Sequence, residues 1–162
     1  MTGLKERLRA DLTAAMKARD TLTTATLRLA LAAITNAEVA GTEAKVLSDA
    51  EIITVLNKEV RKRGEAAEAF AGAGRAEQAA KERAEAEVLA GYLPRALSDD
   101  EVAGLVREAI DSVTATTGSA PTMRQMGLVI KDVQARAEGR ADGSRIAAAV
   151  KAALAAGSPA PR

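Results

Sequence analysis

The chain contains no cysteine and no histidine. Without cysteine there are no disulfides and no thiolate metal sites. Without histidine the commonest general base and the commonest transition-metal ligand are missing. Ser-His-Asp and Cys-His nucleophile sets are therefore excluded, and so is a di-iron helical bundle, which needs Glu-x-x-His pairs. Aromatic residues are nearly absent as well, with one Phe, one Tyr and no Trp in 162 residues. Stacking platforms for splayed bases are lacking, and any RNA contact would fall on backbone, 2′-hydroxyls and shape. No run approaches ~18 uncharged apolar residues, so no membrane span is expected. Met1 to Ala10 is charged and lacks the apolar stretch of a signal peptide. The expectation is a soluble, cytoplasmic protein without a membrane partner. Neither Gly-x-x-x-x-Gly-Lys-Ser/Thr nor Gly-x-Gly-x-x-Gly occurs, and no cofactor or metal is expected.

What is abundant is alanine, about a quarter of the chain, within an apolar fraction of 48%. Alanine favours helix but buries little area. Large aliphatic residues must supply the core, at ~1.5–3 kcal/mol each when fully buried. β-branched and aromatic residues are too few for a sheet protein. The predicted fold class is all-α, with an N-terminal four-helix region and a C-terminal three-helix domain.

The periodicity predicts seven helices. The first runs from about Leu4 to Arg19, with Leu4, Leu8, Leu12 and Ala15/Met16 on one face. Asp20 starts the second, to about Ala40, with Leu27, Leu31 and Ile34 in one row and Leu22, Ala25 and Leu29 in another. Gly41 to Leu47 is a loop. Ser48-Asp49-Ala50-Glu51 is a capping box that opens the third helix, to about Phe70. Gly72-Ala73-Gly74 breaks it, and a fourth follows to Tyr92, with Ala80, Ala84, Val88 and Leu89 inward and Glu77, Lys81 and Glu85 on the outer face. Pro94 stops it. Ser98-Asp99-Asp100-Glu101 opens the fifth helix, with Val102, Leu105, Val106, Ala109, Ile110 and Val113. Thr122-Met123-Arg124-Gln125 opens the sixth, with Met126, Val129, Ile130 and Val133. Asp142 caps the seventh, which presents Ile146, Val150 and Leu154. The expected domains are 1–94 and 95–156, and the Gly/Pro-rich tail, 157–162, is expected to be disordered.

Charge is unevenly spread. Residues 1–93 carry 14 Lys+Arg against 14 Asp+Glu, residues 94–120 carry 2 against 5, and residues 121–162 carry 7 against 3. The excess surrounds Gly139-Arg140-Ala141-Asp142-Gly143, a tight charged corner between the last two helices. Gly139 reads as a left-handed helix end and Asp142 as a helix cap. A helix N-terminus can also hold phosphate, but the Asp142 carboxylate would occupy those donors. Arg140, between small residues on an exposed loop, has no evident structural duty. Arg124, Lys131, Arg136, Arg140, Arg145 and Lys151 are the candidate RNA-binding cations, and Gly127, Gly139, Asp142 and Gly143 form the structural corner. Ordinary solvated Lys and Arg would give the same pattern. Glu59, beside Lys58, Arg61, Lys62 and Arg63, reads as part of a solvated helix face. No catalytic set is identified.

Leu4-Lys5-Glu6-Arg7-Leu8, Asp11-Leu12, Ala15-Met16-Lys17, Arg19-Asp20 and Thr26-Leu27-Arg28-Leu29 resemble the opening of the YqeY-like family. Leu56-Asn57-Lys58-Glu59, Arg61-Lys62-Arg63, Glu65-Ala66, Phe70, Ala73-Gly74-Arg75, Glu82 and Tyr92-Leu93-Pro94 continue it. Met126-Gly127 and Gly139-Arg140-Ala141-Asp142-Gly143 complete it, so that the similarity covers about Leu4 to Leu154. The resemblance implies an all-helical protein whose last three helices are similar to the tail domain of GatB, the B subunit of the tRNA-dependent amidotransferase. That tail contacts tRNA, and the catalytic region of the subunit has no counterpart here. The expected function is a non-catalytic adaptor that binds tRNA or is related to tRNA amidation. Its expected partners are tRNA or a protein of the translation or tRNA-amidation machinery. A protein-interaction module without an RNA role is the alternative. Glutamine-dependent carbon–nitrogen ligase activity, implied by family similarity alone, stands below both, because no catalytic motif supports it.

Overall fold

Short polar side chains set the helix boundaries. In the computed structural model, which describes residues 3–157, Asp20 accepts from the Thr23 amide at 3.0 Å and opens the second helix. Ser48 and Ser98 close reciprocal capping boxes: each Ser side chain accepts from the amide of Glu51 or Glu101, and each Glu accepts from the Ser amide, at 2.9 and 2.8 Å. Each box satisfies two amides that have no partner within the helix. The resulting helices are α1 (Leu4–Lys17), α2 (Thr21–Val39), α3 (Asp49–Gly72), α4 (Ala76–Ala90), α5 (Asp99–Thr117), α6 (Met126–Ala137) and α7 (Gly143–Ala156). A 3₁₀ turn, Met123–Gln125, precedes α6, and the Thr122/Gln125 box opens this turn rather than α6 itself. Among the described residues there is no strand. The expectation of a disordered tail falls largely outside them; Gly157 ends α7.

Two boundaries differ from the periodicity for backbone reasons. α1 stops at Lys17 because Arg19 takes a left-handed conformation (φ 56°), from which its amide returns to Met16 and that of Asp20 to Ala15. α4 stops at Ala90, and the amides of Tyr92 and Leu93 bond back to Leu89 and Ala90.

The chain divides into two compact units, the first ending at Leu93 and the second starting at Pro94. In the first, Leu8, Leu27, Ala30, Ile34, Leu47, Ile52, Leu56 and Leu89 form the core. Its most extensive packing is α3 on α4, a helical hairpin turned at Gly74, which is left-handed (φ 73°) and suits glycine for that reason. Tyr92 ties the end of this unit to its beginning: its hydroxyl donates to Asp11 at 2.6 Å, and Arg7 lies 5.0 Å over its ring. In the second unit, Leu97, Val102, Val106, Ala109, Val113, Val129, Val133, Ala137, Ile146, Val150 and Leu154 form a core shared by α5, α6 and α7.

On α2, the row Leu22, Ala25 and Leu29 is not core: Leu29 is 53% exposed, and Thr26 and Ala30 are buried instead. Thr26 can be buried because its hydroxyl donates to the Leu22 carbonyl at 2.8 Å. On α4 the buried residues are Ala79, Glu85 and Leu89, whereas Ala80 is exposed. The helix is rotated from the apolar pattern because charged residues sit on its inner side.

The capping boxes carry a pH signature. A hydrogen bond from Lys45 and then the Ser48 amide pull the Glu51 carboxyl down to about 2 from 4.5. Arg95 and then the Ser98 amide do the same to Glu101. A carboxyl lowered on folding contributes stability above its unfolded value and loses it as pH falls through its folded value. Melting temperature should therefore fall between pH 4.5 and about 2. Glu51→Gln combined with Glu101→Gln keeps the box geometry but removes the titration. Circular dichroism melts of this variant should show a flatter acid limb. An unchanged limb would assign the acid sensitivity to other carboxylates.

Candidate functional site

The charged corner of the second unit is built from two consecutive left-handed residues. Glu138 (φ 49°) ends α6 and Gly139 (φ 76°) follows it, so the helix end expected at Gly139 is shared with a non-glycine residue. Asp142 caps α7 by accepting from the amides of Ser144 and Arg145 at 2.6 and 3.2 Å. Its carboxylate fills the helix N-terminus where an anion would otherwise sit.

Arg140 has a structural duty that its sequence context hides. Its Nε donates to the Arg95 carbonyl at 3.0 Å, and its own carbonyl accepts from the Leu97 amide at 2.8 Å. Arg145 donates to the Leu97 carbonyl at 2.9 Å and to Asp99 at 2.8 Å. The corner thus holds the segment that leads into α5. Arg136 bonds Asp132 and Glu108, at 3.0 and 3.2 Å, and its pKa is raised chiefly by Asp132. Of the six candidate cations, Arg124, Lys131 and Lys151 remain exposed and without an ion pair among the described residues. Beside Arg124 and Lys131, Met123 and Leu128 are 43% and 56% exposed.

The two other corner glycines differ. Gly143 begins α7, where a Cβ would meet only Gln134 Nε2 at 3.8 Å. Gly127 lies outside the corner, exposed in the first turn of α6 with nothing within 4 Å of a Cβ. Neither position demands glycine by contact.

The first unit holds an arrangement that reading the helix face as solvated misses. Arg63 is 8% exposed and Glu85 5%. Arg63 Nη1 donates to Glu85 and lies 3.6 Å from Glu82, joining α3 to α4. Arg63 Nε is buried without a partner. Above these groups lies a groove of about 360 Å³. α2 lines it with Leu29, Ala32, Ala33 and Asn36, α3 with Glu59, Lys62, Arg63 and Ala66, and α4 adds Glu82. Glu59 and Lys62 face this groove without forming an ion pair among the described residues. The signal for Arg63 is present in the sequence. Ile52, Leu56, Arg63 and Ala67 share one stripe of α3, and all four are buried.

Among the described residues no group of three or more His, Cys, Asp or Glu is placed to hold a metal. No helix there is long and apolar enough to cross a membrane. Fold and sites together describe an all-helical, two-unit protein with a capped, arginine-stapled corner between its last two helices. The chain belongs to the YqeY family: the model described as Yqey-like protein matches residues 5–154. It is 29% identical over 134 residues to altered inheritance of mitochondria protein 41, mitochondrial, of Pyrenophora tritici-repentis (strain Pt-1C-BFP). That alignment covers 81% of this chain and 71% of the relative.

The buried ions generate a stability prediction. Removing one partner of a buried pair leaves an uncompensated charge, at a cost of ~3–5 kcal/mol, whereas apolar replacement of both is often neutral. Arg63→Met and Glu85→Leu should each destabilise the protein by about that amount. The double variant should recover most of the loss in urea unfolding. Additive losses would mean that the two side chains do not act as a pair.

Proposed function

We propose that the chain is a non-catalytic adaptor whose C-terminal unit binds the backbone of folded tRNA. The observation that carries this reading is the set of exposed cations without ion pairs, Arg124, Lys131 and Lys151, on the 3₁₀ turn, α6 and α7. Of the acidic residues in this stretch, Asp132 is engaged with Arg136 and Asp142 in its cap, while Glu138 stays exposed at the end of α6. The likeness to the GatB tail that the sequence resemblance implies points the same way. The scarcity of aromatics favours phosphate and shape contacts over base stacking. The cytoplasm suits this role, and the name of the fungal relative makes a mitochondrial setting an equal expectation.

Filter binding of the full chain to folded tRNA at two salt concentrations tests the reading. Affinity should fall with salt, because phosphate contacts release counterions. Lys131→Glu and Lys151→Glu should each weaken binding and reduce the salt slope by about 1. Lys58→Glu, on an exposed site of the first unit, should leave both unchanged. Arg140 is unsuited to this test, since its replacement also breaks the bond to Arg95. Binding that is insensitive to salt and to both variants would remove the RNA reading and favour protein docking.

Purified protein supplied with glutamine, ATP and misacylated tRNA should release no ammonia. The chain lacks His, Cys and a glycine-rich nucleotide loop, so neither a thiol nor a His-activated nucleophile, nor a phosphate-binding loop of that kind, can be assembled. Turnover above a no-protein control, abolished by changing one carboxylate, would restore the ligase reading.

A further inference from the structure

The groove between α2 and α3 has the form of a helix-packing face that no other described helix covers. Leu29, Ala32 and Ala33 on one wall and Glu59, Lys62 and Ala66 on the other follow the i, i+3, i+4, i+7 spacing of faces that pack on a neighbouring helix. Three alanines make the walls shallow, so another backbone can approach closely. Leu29 stands at the rim with 53% of its surface exposed. Glu59 and Lys62 lie three residues apart on α3, opposite in sign and ion-paired neither to each other nor to any other described residue.

We propose that this face pairs with the same face of a second copy of the chain across a two-fold axis. A two-fold interface must be self-complementary, and an unpaired acid and base one turn apart on a single helix meet that condition. The axis sets Glu59 of each copy against Lys62 of the other. The same operation seats each Leu29 in the alanine-lined trough of the other copy. A small polar ligand would use the charges but would leave the apolar rim uncovered. The face spans roughly two turns, or ~10 Å, on each of two helices. It is therefore at the small end of specific interfaces, below ~1,200 Å² in total, and the association is weak and concentration-dependent. Arg63 and Glu82, which also line the trough, are already paired with each other at 3.6 Å, so Glu59 and Lys62 are the charges left for the partner copy.

Sedimentation equilibrium of the full chain over a concentration series tests the proposal. The average mass should rise from 16.7 kDa toward twice that value. Lys62→Glu, which sets two carboxylates face to face, should weaken association at least ~10-fold, the order expected for like charges in contact. Leu29→Asp should weaken it similarly. Adding Glu59→Lys to the Lys62→Glu chain exchanges the charges and should restore association. Circular dichroism melts of the variants should match the parent, since these positions lie on the groove surface. A mass that stays at 16.7 kDa throughout overturns the proposal. So does association that ignores both single variants, or a charge exchange that fails to restore it.

Discussion

Arg63 is the side chain on which the N-terminal unit turns. It is buried between α3 and α4, and taking a guanidinium out of water costs several kcal/mol unless carboxylates meet it there. Glu85 and Glu82 meet it, and both come from α4. That requirement sets the rotation of α4 against α3, since an apolar interface would tolerate several registers and an ion pair tolerates few. With this rotation set, Leu56 and Leu89 enter the same core, and Glu59 and Lys62 face the groove toward α2. Alanine-rich helices need such a device. A surface of short, similar side chains offers little shape by which one packing can be told from another.

The C-terminal unit uses charge in the same manner at its corner. Arg140 and Arg145 reach back to residues 95–99, where they bond backbone carbonyls and Asp99. With Arg136 held by Asp132 and Glu108, three of the six candidate cations are thus engaged within the fold. Arg124, Lys131 and Lys151 are left exposed and without an ion pair among the described residues, with Met123 and Leu128 exposed beside the first two. Membership of the YqeY family, and a fungal relative named for the inheritance of mitochondria, frame that surface without naming what it meets.

Much of the fold was legible because it is governed by local rules. Ser48, Ser98, Asp20 and Asp142 cap helices, and each cap depends on residues within a few positions of it. The apolar rows of α5, α6 and α7 were legible for the same reason, since their charges lie outside the core stripe. The candidate site was legible only in part. The cap at Asp142 follows from its neighbours, while the duty of Arg140 is hidden because its partner, the Arg95 carbonyl, is distant in sequence. The i,i+4 charge pattern puts Glu85 on the outer face of α4, whereas the structure buries it, and of the two apolar rows of α2 the one with Leu29 lies at the surface.

Composition, periodicity and capping chemistry determined by themselves that this chain is helical, where its helices begin and which chemistries it lacks. Those properties depend on residue type and on neighbours within one or two turns. Tertiary structure alone decided which cations are bound and which are free, and which charged side chains the core accepts. A buried charge is tolerated only when its counter-ion arrives from another helix. That meeting is a property of the packed chain, and no single helix carries it.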